Sequence, residues 1–254
     1  MRNLRFSERV SKGRPIFSRK ADNPVRVPLG HLTSRGCPIC FSATASFTAG
    51  IALLAIGSIT IRRTHEWVEV PYAAIPLIFG LQQLVESLLW RNLPAQDMAT
   101  HVLTIAYLLF SNVLWPIYVP VAVWLLEPRS ARRRTIALTV AAGSAVGLFF
   151  LAAIIAHPVT SAIKGMHIKY HVPHHHDTIA VAVYAAATCL APLLSTHKMV
   201  RLFGIVLTAS MIVTATIYLR WFASVWCFFA AVVSAMVLLH FWRGRTPQKD
   251  GRRG

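Results

Sequence analysis

The chain has 254 residues, of which 55% are hydrophobic and only 14% charged, with 26 Lys and Arg against 9 Asp and Glu. Charged residues make up about a quarter of an average soluble domain, so this composition excludes an ordinary soluble globular protein and implies a membrane protein. A formal charge of +17 would indicate nucleic acid in a soluble chain, but these basic residues lie in short segments between apolar runs, as membrane orientation requires, and nucleic-acid binding is set aside.

Residues 1–39 carry nine Lys and Arg and two acids, with scattered Pro, Ser and Gly and no apolar block. They have no continuous hydrophobic region of the secretory type and superficially resemble an organellar transit peptide. From Phe41 the pattern changes into seven apolar runs, at 41–61, 70–91, 98–126, 135–157, 177–196, 199–219 and 221–242. Each is close to the roughly 20 residues that a bilayer core demands of a helix. The fold predicted is all-α, an integral membrane bundle of seven transmembrane helices over residues 40–242, between a basic leader without folded structure (1–39) and a basic cytoplasmic tail (243–254).

The second run holds Gln82, Gln83 and Glu86 within the apolar stretch 71–90. A carboxylate facing lipid costs roughly 2.5 to 3.5 kcal/mol even on insertion scales. Gln83, Glu86 and Trp90 recur at i, i+3 and i+7, with Gln82 one turn before Glu86, so one stripe of the helix is polar and aromatic. That stripe must face a partner. It serves either as hydrogen-bonded glue between helices or as a ligand, proton or metal site, and Gln82, Gln83, Glu86 and Trp90 are its candidate binding residues.

In the third run Pro116 and Pro120 predict a kink or a tilt, because proline removes an internal hydrogen bond. Gly143, Ser144 and Gly147 in the fourth give the small-residue spacing that lets two helices approach closely. Asp177 suits the N-cap of the fifth, and Cys189, central in that run, reads as packing. With seven crossings the connections on one side carry thirteen Lys and Arg and those on the other four, which places the C-terminus in the cytoplasm and the N-terminus outside. The nine basic residues of the leader oppose that assignment, so either the leader is cleaved or absent or the count of helices is wrong.

With this orientation the unusual side chains gather on the outer side. Cys40, Glu86, His101, His157, His167, His171, His174, His175 and Cys227, with His176 beside them, are of the types that a transition metal such as zinc accepts. A histidine tract alone is only a compositional hint of metal, and a wet interfacial loop accounts for the same residues. Trp90, Trp221, Trp226 and Trp242 near run ends read as interfacial anchors. A Cys40–Cys227 disulfide is open outside the cytoplasm.

The run CFSATASF, Cys40 to Phe47, resembles the opening of a bacterial family of uncharacterised membrane proteins that typically begin Met-Cys-Phe-Ser-Ala-Thr-Ala-Ser-Phe. The resemblance continues through QQLVE at Gln82–Glu86, HIKYHVPHH at His167–His175, STH at Ser195–His197 and SVWCF at Ser224–Phe228. It implies a small multi-helix bundle in the bacterial inner membrane and carries over no catalytic residue. Ile39 stands where those proteins have their initiating Met, which suggests an over-extended gene start.

Two functions remain open. One is a binding, sensing or transport component with a small-molecule or metal site in its outer half and the lipid bilayer around it. The other is an intramembrane metal-dependent hydrolase in which Ser42 or Glu86 assists a metal-bound water. A retinal protein is disfavoured, since no lysine lies inside an apolar run to form a Schiff base. No inverted repeat of the transporter kind is evident either.

Overall fold

A computed structural model describes residues 42–128, 131–164, 167–171, 178–217 and 222–243. The leader, Cys40, Asp177, Trp221 and the tail beyond Arg243 lie outside the described residues. The first run forms α1 (Ala43–Ile61), started by Ser42, whose hydroxyl accepts a hydrogen bond from the Ala45 N–H at 3.2 Å. The second divides into a 3-10 turn (Trp67–Glu69), α2 (Val70–Ala73) and α3 (Ile75–Asn92). Pro76, in the first turn of α3, has no N–H to continue the preceding turn, and the chain breaks at Ala74.

The third run leaves regular α-helix just before its first proline. It comprises α4 (Met98–Leu108), a π-helical turn (Leu109–Leu114) and α5 (Trp115–Leu126). Pro116 can neither donate to the preceding turn nor tolerate its carbonyl, and the backbone widens just before it. A carbonyl within the wide turn is taken up from outside, since Tyr184 Oη donates to the Ser111 oxygen at 2.7 Å. Then follow α6 (Ala131–Ala156), a hairpin of β1 (Thr160–Lys164) and β2 (His167–His171), α7 (Thr178–Leu194), α8 (Lys198–Ile217), α9 (Phe222–Ser234) and α10 (Met236–Arg243).

Five helical stretches are long and apolar enough to cross a membrane: Ala43–Ile61, Trp67–Asn92, Met98–Leu126, Ala131–Ala156 and Lys198–Thr216. Two more, Thr178–Leu194 and Trp226–Trp242, are apolar but shorter. The all-α membrane-type fold therefore holds, with one addition. The connection read as a loop contains an antiparallel hairpin, in which Thr160 faces His171 and Lys164 faces His167.

Small residues set the closest approaches. A Cβ on Gly57 would overlap the backbone of Leu77, which fixes α1 against α3, and one on Gly143 would overlap the Pro116 carbonyl, which fixes α6 against the bend. The interior is aromatic, with Phe79 stacked on Trp115 at 3.7 Å and Tyr184 edge-on to Trp226 at 5.5 Å. Trp226 is therefore a buried core residue, not an interfacial anchor. The reason is its place on α9, which packs against α3 and α8. Trp242 stays exposed and lies under the Arg63 guanidinium. Cys189 is buried against the Met211 sulfur, at 3.8 Å, as packing predicts. Leu138, Ile155 and Ile179 are at least 70% exposed, an outward apolar face suited to a bilayer.

Candidate functional site

Gln82, Gln83 and Glu86 are all buried, with Glu86 only 1% exposed. Their helix, α3, packs against α1, α4 and α9. Within it Gln83 Nε2 donates to Glu86 Oε2 at 3.4 Å, and Trp115 Nε1 donates to Gln82 Oε1 at 2.6 Å. The indole is held in turn by its stack on Phe79, one turn before Gln83. Ser87 Oγ donates to the Ala43 carbonyl at 2.9 Å, which ties the start of α1 beside Glu86.

Three further side chains complete the cluster. Tyr107 projects from α4, Cys227 from α9 and Tyr170 from β2. Cys227 lies close to both Gln82 and Tyr107, and Glu86 acts electrostatically on Tyr107, Tyr170 and Cys227. The two phenol rings stack nearly parallel, 4.5 Å apart at 5°. Burial pushes the Tyr170 phenol well above its ordinary range, so it remains a neutral O–H donor.

The hairpin forms the roof of this cluster. Thr104 Oγ1 and Ser161 Oγ lie 2.6 Å apart and join α4 to β1. Ile168 is buried with Leu89 and Leu93, and Trp90, Leu103 and Tyr170 pack on that group. Asp97 starts α4 as its N-cap, and hydrogen bonds from the Thr100 N–H and hydroxyl hold its carboxyl below the usual range.

Four buried atoms in the cluster complete no hydrogen bond: Gln82 Nε2, Gln83 Oε1, Tyr107 Oη and Tyr170 Oη. Tyr107 lies close to Tyr170 and to Cys227, and Gln82 lies close to Cys227. An unmet buried polar group costs roughly 1 to 3 kcal/mol, and most native ones are satisfied. Four at one place make this cluster the candidate site. Below them a small cavity, with room for about one water molecule, is lined by Phe79, Trp115, Tyr184, Phe203, Trp226 and Cys227 among others.

Of the residues singled out in the sequence, Gln82, Gln83, Glu86 and Cys227 meet here, and Trp90 packs at the edge of the roof. His167 is half-buried on the hairpin, where desolvation lowers its pKa. His101, His157 and His171 are exposed, while Cys40, His174, His175 and His176 lie outside the described residues. Among the described residues no three His, Cys, Asp or Glu side chains are arranged to hold an ion. Tyr107, Trp115 and Tyr170 were not distinguishable as site residues in sequence. Tyr107 and Trp115 sit within an apolar run, and the only signal for Tyr170 was alternation about the Gly165–Met166 pair.

A second buried acid lies just past the end of α5, as its C-cap. Glu127, 2% exposed, accepts from Ser195 Oγ at 2.8 Å and from the Thr196 N–H at 3.0 and 3.1 Å. The His197 N–H donates to Ser195 Oγ at 3.2 Å, and His197 Nε2 lies 3.2 Å from the Leu126 carbonyl. Glu127 thus places a negative charge at the N-terminus of α8, where the helix dipole favours it.

No characterised protein and no solved structure matches the chain. Residues 39–253 match a family of unknown function, DUF6629, so the match begins where the apolar pattern does. With most of its length covered, the chain belongs to the DUF6629 family of unknown function.

Proposed function

We propose that this chain is a seven-span protein of the bacterial inner membrane, N-terminus outside and C-terminus in the cytoplasm, that binds a small polar ligand in its outer half. The thirteen-to-four distribution of Lys and Arg supports the orientation. The ligand site is the cluster of Gln82, Gln83, Glu86, Tyr107, Tyr170 and Cys227, roofed by the hairpin. The observation that carries this reading is the convergence of four unmet buried polar atoms around Glu86. Their donors and acceptors suit a ligand with hydrogen-bonding groups on more than one side. Glu86 and Cys227 also offer oxygen and sulfur to a metal such as zinc. Binding, sensing or transport follows more directly from this pocket than hydrolysis does, because no open three-ligand metal centre is needed.

The test is native mass spectrometry with elemental analysis of protein purified from membranes. The wild type should retain a bound small molecule or ion that Tyr107→Phe and Glu86→Gln lose. Elemental analysis assigns a metal or an organic ligand. A wild type with nothing bound, together with a Tyr107→Phe variant that is only more stable, would reduce the cluster to a packing defect.

A further inference from the structure

The arginine-rich end of α6 is a surface that the Glu86 site does not use. Arg129, Arg132, Arg133 and Arg134 lie close together, and the sequence holds no acid between Glu127 and Asp177. Glu127 itself is buried and already accepts hydrogen bonds from Ser195 and Thr196. The Arg133 guanidinium lies over the Trp124 ring of α5, 4.4 Å from its centroid, and its covered Nε completes no hydrogen bond among the described residues. Arg133 is therefore oriented by the indole face but not neutralised. Arg132 and Arg134 beside it are exposed. Below them one face of α6 is apolar. Arg134, Leu138, Ala141, Ala145 and Leu148 recur at alternating intervals of four and three, so they form a single stripe, and all five are exposed. The same face continues to Ile155, also exposed. At about 1.5 Å per residue the stripe from Arg134 to Ile155 is roughly 30 Å long, about the thickness of a bilayer's hydrocarbon core.

We infer that this face of α6 is a binding site for an anionic glycerophospholipid, whose phosphate meets Arg133 and Arg134 and whose acyl chain lies along Leu138, Ala141 and Ala145. The guanidinium fork matches phosphate oxygens in a way that a lysine ammonium does not. Charge selects the anionic headgroup over a zwitterionic one, because a choline or ethanolamine would bring a cation to a surface with no acid to receive it. The stripe selects a lipid over a soluble phosphate, since an exposed apolar face gains nothing from a ligand without a chain. Ala141 and Ala145, the smallest side chains of the stripe, leave room for that chain between Leu138 and Leu148. With the orientation proposed above, the lipid belongs to the cytoplasmic leaflet, where clustered basic residues beside a span meet anionic headgroups. The inference rests on the membrane placement of α6 and takes nothing from the Glu86 cluster.

The test uses the full chain in mild detergent with equimolar phosphatidylglycerol and phosphatidylcholine, and native mass spectrometry counts the lipid that each protein retains. The wild type should retain phosphatidylglycerol in preference. Arg133→Gln and Arg134→Gln should each reduce that preference about fivefold, the factor that corresponds to about 1 kcal/mol per basic residue at an anionic surface. Ala141→Phe keeps every charge and fills the path of the chain, so it should also lower the retention of phosphatidylglycerol. Arg62→Gln, at the exposed C-cap of α1, should behave as the wild type does. Circular dichroism and gel filtration show that each variant is folded. Equal retention of the two lipids by the wild type overturns the inference, and so does an undiminished preference in folded Arg133→Gln and Arg134→Gln. Wild-type retention by Ala141→Phe overturns it as well, because the surface would then attract charge without seating a chain. Since Glu86 takes no part, an overturned lipid site leaves the proposed ligand site standing.

Discussion

Glu86, within α3, and Glu127, at the cap of α5, are both buried carboxylates on apolar runs, yet their surroundings differ in kind. Glu127 has a hydroxyl and a backbone N–H supplied by a neighbouring segment, at distances between 2.8 and 3.1 Å. These bonds join the end of α5 to the start of α8. The acid is a latch, and its chemistry is exhausted by holding two helices. Glu86 sits among groups whose hydrogen-bonding capacity is left over, on Gln82, Gln83, Tyr107 and Tyr170. The two acids thus differ in the groups that surround them. The unmet polarity around Glu86 is therefore a cost in stability of the kind that active and binding sites retain.

The largest effect is expected at the latch. Glu127→Gln places an amide N–H₂ against donors, and hydrogen bonds to a charged group are worth about 1.5 to 3 kcal/mol. A loss of about 3 kcal/mol should appear in unfolding titrations in detergent. Ser195→Ala removes one donor to Glu127 and leaves the Thr196 N–H in place, so a smaller loss of about 1 kcal/mol is expected by the same measurement. If both variants unfold as the wild type does, Glu127 is not a latch and the contrast collapses.

At the other acid the sign reverses. Tyr107→Phe deletes a buried hydroxyl that completes no hydrogen bond, so the ligand-free protein should gain up to about 1 kcal/mol while losing its bound species. A destabilised Tyr107→Phe would mean that the hydroxyl is already satisfied within the protein. Acid offers a milder probe. His167, on the hairpin that roofs this end, has its pKa lowered by desolvation, so its neutral form favours the docked state. As pH falls from the ordinary histidine value of about 6.5 toward the lowered one, protonation works against docking. Hydrogen exchange at β1 and β2 should quicken on acidification while exchange near Ser195–His197 changes less. Equal quickening at both ends would remove the distinction.

The sequence made Glu86 conspicuous for a physical reason: ionisable groups are rare inside apolar runs, and helical periodicity aligned it with Gln82 and Gln83. The helices were legible on the same ground, and the seven runs reappear as helices or helix pairs. Glu127 was not conspicuous, because an acid at the end of a run, before Pro128 and Arg129, reads as an interfacial residue. Its burial depends on Ser195 and Thr196, 68 and 69 residues away. The hairpin was obscured by composition. Histidines at 167 and 171 drew attention to metal chemistry, while the alternate residues Ile168 and Tyr170 carry the contacts with Leu89, Trp90 and Tyr107.

The smallest stability effect, and the most informative, is expected for Glu86→Gln. The amide keeps the shape of the side chain and can still accept from Gln83 Nε2, which lies 3.4 Å from the carboxylate and so makes a long bond. Because shape and hydrogen-bonding capacity are kept, the change in unfolding free energy should stay within about 1 kcal/mol. Function should respond differently, because an amide can neither carry the charge that a cation or a donor-rich ligand would meet nor exchange a proton at neutral pH. Loss of the bound species in a variant as stable as the wild type would place the importance of Glu86 in chemistry. A stability loss as large as that of Glu127→Gln, in a protein that never held a ligand, would make the two acids equivalent latches.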